Sequence, residues 1–386
     1  MSSHGSASLT NRAKKLTVID GGGSPGPELS IVIPTFNERD NIVPLIERLR
    51  TALRNIAWEV IFVDDDSVDK TLDVVRDLSI RDRRIRGIRR INRRGLAGAC
   101  VEGILSSSAP IVAVMDADLQ HDETRLAEML EIIRRDEGDL VVATRYGDEG
   151  SADGALTSIR SAGSRVAIRA AQRLLHVETT DPMSGFFMVR RWIVEKAAPK
   201  LSQQGFKILL DLIASSPRSV RIAEIPYVFR PRIHGESKMD AAVVTEYLGL
   251  LVSKWSGDLI SGRIALFGMV GSSGVVLHLA VLRLLLLQGA TFSIAQLGAM
   301  LVAMVSNYTL NNTLTYRDRR RRGWQLLTGL VLFSLLCSVG ILAGVGVSSL
   351  FYGNKSQWWL AGLAGAVIGA AWNYITNSLI TWRHAR

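Results

Sequence analysis

The residues best suited to chemistry follow a short apolar run near the middle of the first half of the chain. Residues 111–115 are all apolar, and Asp116, Asp118 and Gln120 come directly after them at alternate positions. In extended chain alternate residues point to the same side, so we expect these three side chains to converge. Two carboxylates and an amide suit a hard divalent cation, Mg²⁺ or Mn²⁺, that keeps coordination positions for phosphate oxygens.

Two earlier apolar runs, at 29–33 and 60–63, also end in polar clusters. These clusters contain Pro34, Thr35, Glu38, Asp64, Asp65 and Asp66. Crowding acids at successive strand ends is costly unless a cation or hydrogen-bond donors lie between them. Helix capping would account for one of the acids but explains all the clusters poorly. We therefore expect a shared site at the carboxyl ends of the strands, where open α/β sheets bind ligands.

The elements that must position these residues alternate between strands and helices. Strands are predicted at 29–33, 60–63, 85–91, 111–115 and 140–143, with helices at 38–53, 69–78, 95–106 and 123–135. This alternation indicates parallel β-α-β units and a Rossmann-like α/β domain. No G-x-G-x-x-G pattern follows the first strand, which argues against a dinucleotide-dependent dehydrogenase.

Charge and composition differ between the two ends of the chain. All ten prolines of the 386-residue chain lie at or before Pro231. The segment after Asp258 contains ten basic residues and one acidic residue. Nearly all of the net charge of +10 therefore belongs to the C-terminal third, and it is no evidence for nucleic-acid binding.

Residues 1–28 are polar and glycine-rich, which predicts disorder. The absence of an apolar leader at Met1 predicts a cytoplasmic N-terminal part.

The C-terminal third has the pattern of a membrane domain. Residues 241–260 combine apolar residues at helical spacing with Lys254 and Trp255, which predicts an amphipathic helix at the membrane surface. A membrane domain is predicted over 261–386. Its four apolar segments each exceed the roughly 20 residues needed to cross a bilayer. They lie at about 264–287, 292–314, 324–350 and 358–381.

Two of these segments contain a repeat. Residues 307–317 align without gaps on 373–383, which predicts a helical hairpin used twice. Four asparagines in the repeat are too polar to face lipid, so we expect them inside the bundle; they are Asn307, Asn311, Asn373 and Asn377. Basic residues at 317–322 and 383–386 flank the second and fourth helices, which predicts that both ends and the catalytic part are cytoplasmic.

Six short motifs are spread through residues 29–240. They are P-T-F-N-E at 34–38, V-D-D-D-S at 63–67, M-D-A-D-L-Q at 115–120, T-R-Y at 144–146, D-P-M-S-G-F-F at 181–187 and R-I-H-G-E-S-K-M at 232–239. These motifs resemble those of the family 2 glycosyltransferases with a GT-A fold, and most closely the dolichol- or polyprenyl-phosphate mannosyltransferases. The membrane segments resemble the GtrA-like four-helix proteins linked to polyprenyl-glycan traffic.

The resemblance implies roles for individual residues. Residues expected to bind the nucleotide sugar are Pro34, Thr35, Glu38, Asp65, Asp66, Asp116, Arg232 and Lys238, with Gly235 as a hinge. The metal on the diphosphate would be held by Asp116, Asp118 and Gln120, and the catalytic candidates are Asp65, Asp116 and Asp118. Asp66 departs from the family, which often has Asn or Gly there, so the choice of donor stays open.

A further set, Arg145, Arg160 and Ser164, is expected to bind the acceptor. Arg160 and Ser164 are four residues apart and would share one helix face, while Arg145 follows the strand at 140–143. Two guanidiniums and a hydroxyl form a good phosphate clamp, and in the family the equivalent residues grip the lipid phosphate. Isolated arginines are usually solvated. The arginine-rich run at 81–94 is interpreted as a solvated face, or as one that contacts anionic lipid, and no catalytic role is assigned to it.

Taken with the resemblance, these patterns predict a membrane-bound inverting glycosyltransferase. The resemblance implies transfer of mannose from GDP-mannose to dolichyl or polyprenyl phosphate at the cytoplasmic face, with glucose from UDP-glucose as the alternative. A lipid phosphate is already anionic at pH 7, so no strong general base is required. A processive polysaccharide synthase is disfavoured because its Q-x-x-R-W motif is absent. A non-enzymatic lipid-glycan flippase is disfavoured because the donor and metal motifs are intact.

Overall fold

The computed structural model describes residues 26–146, 169, 171–173, 175, 177, 179–202, 207–217, 219–230, 241–353 and 358–382. Five residues with predicted roles lie outside the described residues, namely Arg160, Ser164, Arg232, Gly235 and Lys238.

The first part of the chain is an α/β domain, as its alternating pattern predicts. Its strands are β1 (Leu29–Thr35), β2 (Trp58–Asp64), β3 (Ile85–Arg89), β4 (Ile111–Val114), β5 (Leu140–Thr144), β6 (Phe187–Arg190) and β7 (Ile222–Pro226). Its described helices are α1 (Arg39–Ala52), α2 (Thr71–Arg81), α3 (Leu96–Ser106), α4 (Arg125–Arg134), α5 (Arg191–Ala197) and α6 (Ile208–Ser215).

The seven strands form one sheet in the order β3-β2-β1-β4-β6-β5-β7. The expectation of purely parallel units is wrong for one strand, because β6 runs antiparallel between β4 and β5. At four residues β6 is too short to show periodicity in the sequence. The other strands run parallel, so the carboxyl ends of β1, β2, β4 and β5 lie at one edge of the sheet.

Apolar side chains cover both faces of this sheet. On one face Ile31 and Ile33 belong to a fully buried cluster with Ile42 and Leu45 of α1. On the other face Val32 packs in a second cluster with residues of α3. Burying an aliphatic side chain contributes about 1.5–3 kcal/mol, so two such layers fix the strand ends in place.

The second part of the chain is helical. Its helices are α7 (Ala241–Trp255), α8 (Gly262–Leu287), α9 (Phe292–Leu310), α10 (Trp324–Gly353) and α11 (Trp358–Thr376). The last four of these helices correspond to the four predicted membrane segments. By length and composition α8 is the one helix in the described part of the chain that could cross a membrane.

The repeat is present in the helix geometry. Both α9 and α11 end in a π-helical turn, at Asn311–Thr315 and Asn377–Thr381. The two residues that follow these turns, Tyr316 and Trp382, stack face to face with ring centroids 4.1 Å apart. Asn311 and Asn377 are buried, as their polarity in a membrane segment predicts.

Equivalent contacts recur in the two hairpins. The amide of Asn307 lies where a side chain at Gly274 would point, and the amide of Asn373 lies in the same way against Gly340. Glycine at these two positions lets each pair of helices approach closely. The sequence repeat is therefore also a repeat of packing.

A buried ion pair attaches α7 to the α/β domain. The Lys254 ammonium lies 3.0 Å from a carboxylate oxygen of Asp211 on α6, and both side chains are almost fully buried. The same ammonium donates to the main-chain oxygen of Lys200 at 2.7 Å and to Ser215 Oγ at 2.9 Å. Because a buried charge is costly when it loses its partner, this contact fixes α7 against the domain.

Candidate active site

The ends of β1 and β2 are joined by a network around Asp64. Thr35 Oγ1 donates to Asp64 Oδ2 at 3.0 Å, and Ser67 donates to Asp64 through both its main-chain N–H and its hydroxyl. The main-chain N–H of Asp65 donates to the Thr35 carbonyl at 3.0 Å. Asp64 therefore holds the turn that carries Asp65 and Asp66.

Asp65 is buried and held by two donors. Arg90 Nη1 donates to Asp65 Oδ1 at 2.6 Å, and the main-chain N–H of Gly95 donates to Oδ2 at 2.7 Å. Burial raises the pKa of Asp65, while the bonds from Gly95 and Arg90 act in the opposite direction. The interpretation of 81–94 as a solvated run is wrong at Arg90, which is 6% exposed because it pairs with this carboxylate.

The other predicted donor-side residues lie along the same rim. Asp66 has a left-handed backbone with φ of 62° and pairs with Arg89, whose Nε lies 2.7 Å from Oδ1. Glu38 precedes α1 and accepts from Asn41 Nδ2 at 2.7 Å. Pro34 lies on β1 opposite Val63 of β2. The structure thus brings Pro34, Thr35, Glu38, Asp65 and Asp66 to one edge.

The end of β4 carries the three residues of the predicted metal site. Asp118 is buried and accepts from the main-chain N–H of Gln120 at 3.2 Å. The amide nitrogen of Gln120 donates to the Arg230 carbonyl at 2.8 Å, which attaches this turn to the segment after β7. Among the described residues no group of three or more His, Cys, Asp or Glu side chains could hold a metal. Any cation here would take its other ligands from the amide, from substrate or from water.

His121 was missed by the sequence reasoning, and it orients Asp116. Its Nδ1 accepts from the main-chain N–H of Asp116 at 3.1 Å, and its Nε2 lies 3.9 Å from Asp116 Oδ2. Burial lowers the pKa of His121 to about 4, so the ring is neutral at pH 7. A ring that accepts at Nδ1 carries its proton on Nε2, on the side of the carboxylate. The ring stacks on Phe186 with centroids 5.1 Å apart.

Gly185 closes the other side of Asp116. A Cβ atom at this position would lie 2.9 Å from Asp116 Oδ2, closer than real Cβ contacts allow. Gly185 precedes β6, the antiparallel strand next to β4. Glycine at this position therefore avoids a clash with the Asp116 carboxylate. The D-P-M-S-G-F-F motif contained this signal, but spacing alone did not reveal the contact.

Arg145 follows β5 and is gripped by a buried carboxylate. Its Nε and Nη2 donate to the two oxygens of Asp181 at 2.7 and 2.8 Å, a bidentate pair. Burial opposes the charged form, but the hydrogen bond and charge of Asp181 raise the pKa of Arg145. The guanidinium also lies over the ring of Phe229, 5.6 Å from its centroid. The predicted acceptor arginine is therefore fixed in orientation by Asp181, a carboxylate for which no role was predicted.

The loop that carries Asp181 is held by β7. The carboxylate of Glu224 accepts from the hydroxyl of Thr179 and from the main-chain N–H of Thr180 at 2.7 Å. The Thr180 hydroxyl lies 2.7 Å from that of Thr144 at the end of β5. These contacts tie Asp181 to the strand that presents Arg145.

Tyr227 shows that these groups surround one point. Its hydroxyl is buried and has no hydrogen-bond partner in the described part of the protein. Burial raises the pKa of Tyr227, and the charges of Arg145, Asp181, Asp116 and Asp118 also act on it. The His121 ring, which lies beside Asp116, packs edge-on against Tyr227, and so does Phe229, whose ring lies under the Arg145 guanidinium.

Comparison with protein families gives two matches. Residues 30–197 match the model described as glycosyl transferase family 2. Residues 266–382 match the transmembrane domain shared by GtrA and DPMS proteins. The two matches divide the chain as the α/β and helical parts of the structure do.

Two curated relatives are dolichol-phosphate mannosyltransferases. A dolichol-phosphate mannosyltransferase of Pyrococcus furiosus is 30% identical over 92% of this chain and 99% of its own length. One from Saccharomyces cerevisiae is 34% identical over 57% of this chain and 84% of its own. Among solved structures, a glucosyl-3-phosphoglycerate synthase of Mycobacterium tuberculosis is 16% identical with a TM-score of 0.48 over 60% of this chain and 80% of that chain. That last likeness is too weak to bear on substrates.

Proposed function

Because the chain belongs to the dolichol-phosphate mannosyltransferase family, a family of membrane glycosyltransferases, we propose that it transfers mannose from GDP-mannose to dolichyl or polyprenyl phosphate. The observation that carries this proposal is the meeting of two unlike groups around Tyr227. Asp116 and Asp118 suit the metal and the diphosphate of a donor, and Arg145 suits an anionic acceptor. Asp116 is linked to the Tyr227 ring through His121, and Arg145 through Phe229.

The residues at the end of β4 fit a divalent cation. Asp116 and Asp118 supply two carboxylates, and the main-chain N–H of Gln120 orients that of Asp118. The Asp116 side chain is 35% exposed, so its carboxylate is accessible to a ligand. We assign Asp116, Asp118 and Gln120 as the groups that hold Mg²⁺ or Mn²⁺. A bound cation would neutralise the charge that develops on the departing nucleoside diphosphate.

The donor nucleotide is assigned to the ends of β1 and β2. Pro34, Thr35, Glu38 and Asp66 would contact it there, and Arg232 and Lys238 would approach from the segment after β7. Asp65 supports this rim through Arg90 and Gly95, and its contact with the nucleotide or sugar is part of the proposal. The two oxygens already accept hydrogen bonds, so Asp65 is suited to orienting a ligand rather than to removing a proton.

The acceptor needs no general base. An oxygen of the lipid phosphate forms the bond to the anomeric carbon, while the bond from that carbon to the diphosphate oxygen breaks and leaves its electron pair there. Attack opposite the leaving group inverts the anomeric centre. The phosphate is already anionic at pH 7, so no proton has to be removed. Arg145, with Arg160 and Ser164, would hold the phosphate in line.

The membrane part would keep the acceptor and the catalytic part at one surface. We infer a catalytic domain over 29–240, an interfacial helix over 241–260 and a membrane domain over 261–386. All four long helices would span the bilayer, with both termini and the catalytic domain on the cytoplasmic side. The supporting observations are the basic residues at 317–322 and the buried Lys254–Asp211 pair that attaches α7 to the domain.

A transfer assay with a panel of nucleotide sugars tests this function. Full-length protein in lipid vesicles would receive polyprenyl phosphate with GDP-mannose, UDP-glucose or UDP-N-acetylglucosamine, each radiolabelled in the sugar. We expect label in the lipid fraction with GDP-mannose at least tenfold faster than with either uridine nucleotide. Faster transfer from UDP-glucose would reassign the donor, and no lipid-linked label from any donor would refute the function.

A further inference from the structure

Lys207 is a cation near this site to which the sequence reasoning gave no role. It directly precedes α6 and is partly buried. Its ammonium makes no hydrogen bond or ion pair with the described residues. Burial is the largest cause that lowers the pKa of Lys207, and the charge of Arg145 lowers it further, while Asp181 and Asp116 act in the opposite direction. The packing of α6 places Lys207 at this side of the domain, because Leu210, three residues further on, packs in a cluster with Met183, two residues from Asp181.

Arg145 is an incomplete phosphate site by itself. Its Nε and Nη2 are engaged with Asp181, and the charge of that carboxylate offsets the charge of the guanidinium. An arriving phosphate monoester carries more than one negative charge at pH 7, so it needs a further cation. Lys207 has such a charge, which the described residues do not neutralise with a contact.

Tyr227 supplies an uncharged donor at the same place. Its hydroxyl is buried without a hydrogen-bond partner among the described residues, which is costly for a polar group. The ring is fixed edge-to-face against Phe186 at 5.7 Å and against His121 at 5.8 Å. A ligand oxygen between Asp116 and Arg145 would satisfy this hydroxyl.

We propose that Lys207 and Tyr227 complete the acceptor site, where they hold the lipid phosphate between Arg145 and the metal-bound diphosphate. This inference rests on the proposed function and names residues that bind its acceptor. A further cation is needed here only if the acceptor is anionic. Attack by a phosphate brings two anionic groups together, and a compact ammonium between them reduces their repulsion.

Binding of a soluble acceptor tests the site without turnover. The probes are farnesyl phosphate and uncharged farnesol, added to full-length protein in detergent with GDP and Mn²⁺ and measured by calorimetry. For Lys207→Gln we expect the dissociation constant of farnesyl phosphate to rise tenfold to a hundredfold. The affinity for farnesol should be unchanged, because it lacks the charge. Tyr227→Phe should weaken the phosphate probe about threefold to tenfold.

Two further variants separate binding from folding. Lys207→Arg keeps the charge and should recover at least part of the affinity for farnesyl phosphate. Lys196→Gln removes the same charge from an exposed lysine beside Trp192 and serves as the matched control. All variants should bind GDP as the wild type does, which shows that the donor side is folded.

Kinetics distinguish failure of this inference from failure of the proposed function. With wild-type activity present, Lys207→Gln should lower kcat/KM for the lipid phosphate while the KM for GDP-mannose stays within twofold. If wild type transfers mannose and Lys207→Gln binds and uses the acceptor normally, the inference is wrong. Loss of GDP binding in both Lys207→Gln and Lys207→Arg would make Lys207 a structural residue and would also overturn it. If wild type transfers no sugar, the proposed function has failed.

Discussion

The carboxylates at the ends of β2 and β4 are held in different ways. Asp65 and Asp66 at the end of β2 pair with arginines, Arg90 at 2.6 Å and Arg89 at 2.5 Å. At the end of β4 the Asp118 carboxylate accepts from a main-chain N–H, and the His121 ring lies beside the Asp116 carboxylate. Arg145, which follows β5, pairs with Asp181.

We infer from this difference that the two pairs of carboxylates have different roles. An arginine partner neutralises an acid within the protein, so Asp65 and Asp66 stabilise the turn at the end of β2. A main-chain N–H orients an acid without neutralising it, so Asp118 is suited to a cation. The same division applies to the cations, since Arg90 is committed to Asp65 whereas Lys207 has no such partner among the described residues.

The largest effect is expected from Asp118→Ala. Removing a metal-type carboxylate should lower kcat by roughly a thousandfold, because the charge on the leaving diphosphate is no longer offset. The measurement is transfer of radiolabelled mannose by the full-length variant, with circular dichroism to show that it is folded. Asp66→Asn is the matched variant at the end of β2, and it should retain transfer within about tenfold because its exposed pair with Arg89 contributes little. Equal losses of kcat in Asp118→Ala and Asp66→Asn would show that the carboxylates at the ends of β2 and β4 do not differ in role.

Gly185→Ala should weaken cation binding at the end of β4 without removing either carboxylate. The new methyl group would displace the Asp116 carboxylate, so we expect the Mn²⁺ concentration for half-maximal activity to rise roughly tenfold. The comparison is Gly138→Ala, where the added Cβ would lie 3.1 Å from Ala223 Cβ, far along the sheet from this edge. An unchanged Mn²⁺ requirement in Gly185→Ala would show that Asp116 does not hold the cation.

Arg160→Ala should affect the acceptor alone. A charge-assisted hydrogen bond contributes about 1.5–3 kcal/mol, so its loss should lower kcat/KM for the lipid phosphate by roughly tenfold to a hundredfold. Affinity for GDP-mannose should stay the same, because the donor is assigned to other strand ends. Lysine at this position should restore activity only in part, since it keeps the charge but not the planar fork. A weaker donor affinity with normal acceptor kinetics would place Arg160 on the donor side.

His121 should affect the pH dependence of stability rather than the rate of transfer. The pKa of His121 is lowered from 6.5 to about 4 in the folded protein, so the unfolded chain binds a proton first as the pH falls. Stability from this group is present above pH 6.5 and is lost as the pH falls towards 4, on the order of 3 kcal/mol in total. His121→Gln, which keeps an acceptor for the Asp116 N–H, should show a flatter dependence between pH 6.5 and 4. Parallel curves for the two proteins would mean that His121 is not buried as a neutral ring.

The residues found from the sequence share one property, which is that they follow a buried strand and so lie at the edge of the sheet. Asp116, Asp118 and the cluster after β2 follow apolar runs, and the parallel sheet then brings those ends together. The membrane repeat was visible for a similar reason, because its asparagines recur at helical spacing.

What the sequence did not reveal depends on tertiary contacts. Asp181 lies beside Arg145 because a four-residue strand runs antiparallel between β4 and β5, and no period marks so short an element. His121 is an ordinary polar residue until burial against Phe186 makes it neutral. Lys207 acquires its position from the packing of α6, which nothing in its neighbours along the chain indicates.

The central claim is that a divalent cation at the end of β4 supports mannosyl transfer to a lipid phosphate. The most direct test is transfer from radiolabelled GDP-mannose to polyprenyl phosphate by full-length protein in EDTA, followed by stepwise return of Mg²⁺ or Mn²⁺. We predict that EDTA abolishes transfer, and that the returned cation restores it in wild type but not in Asp118→Ala. Transfer at the full rate in EDTA would show that no divalent cation supports mannosyl transfer by this protein.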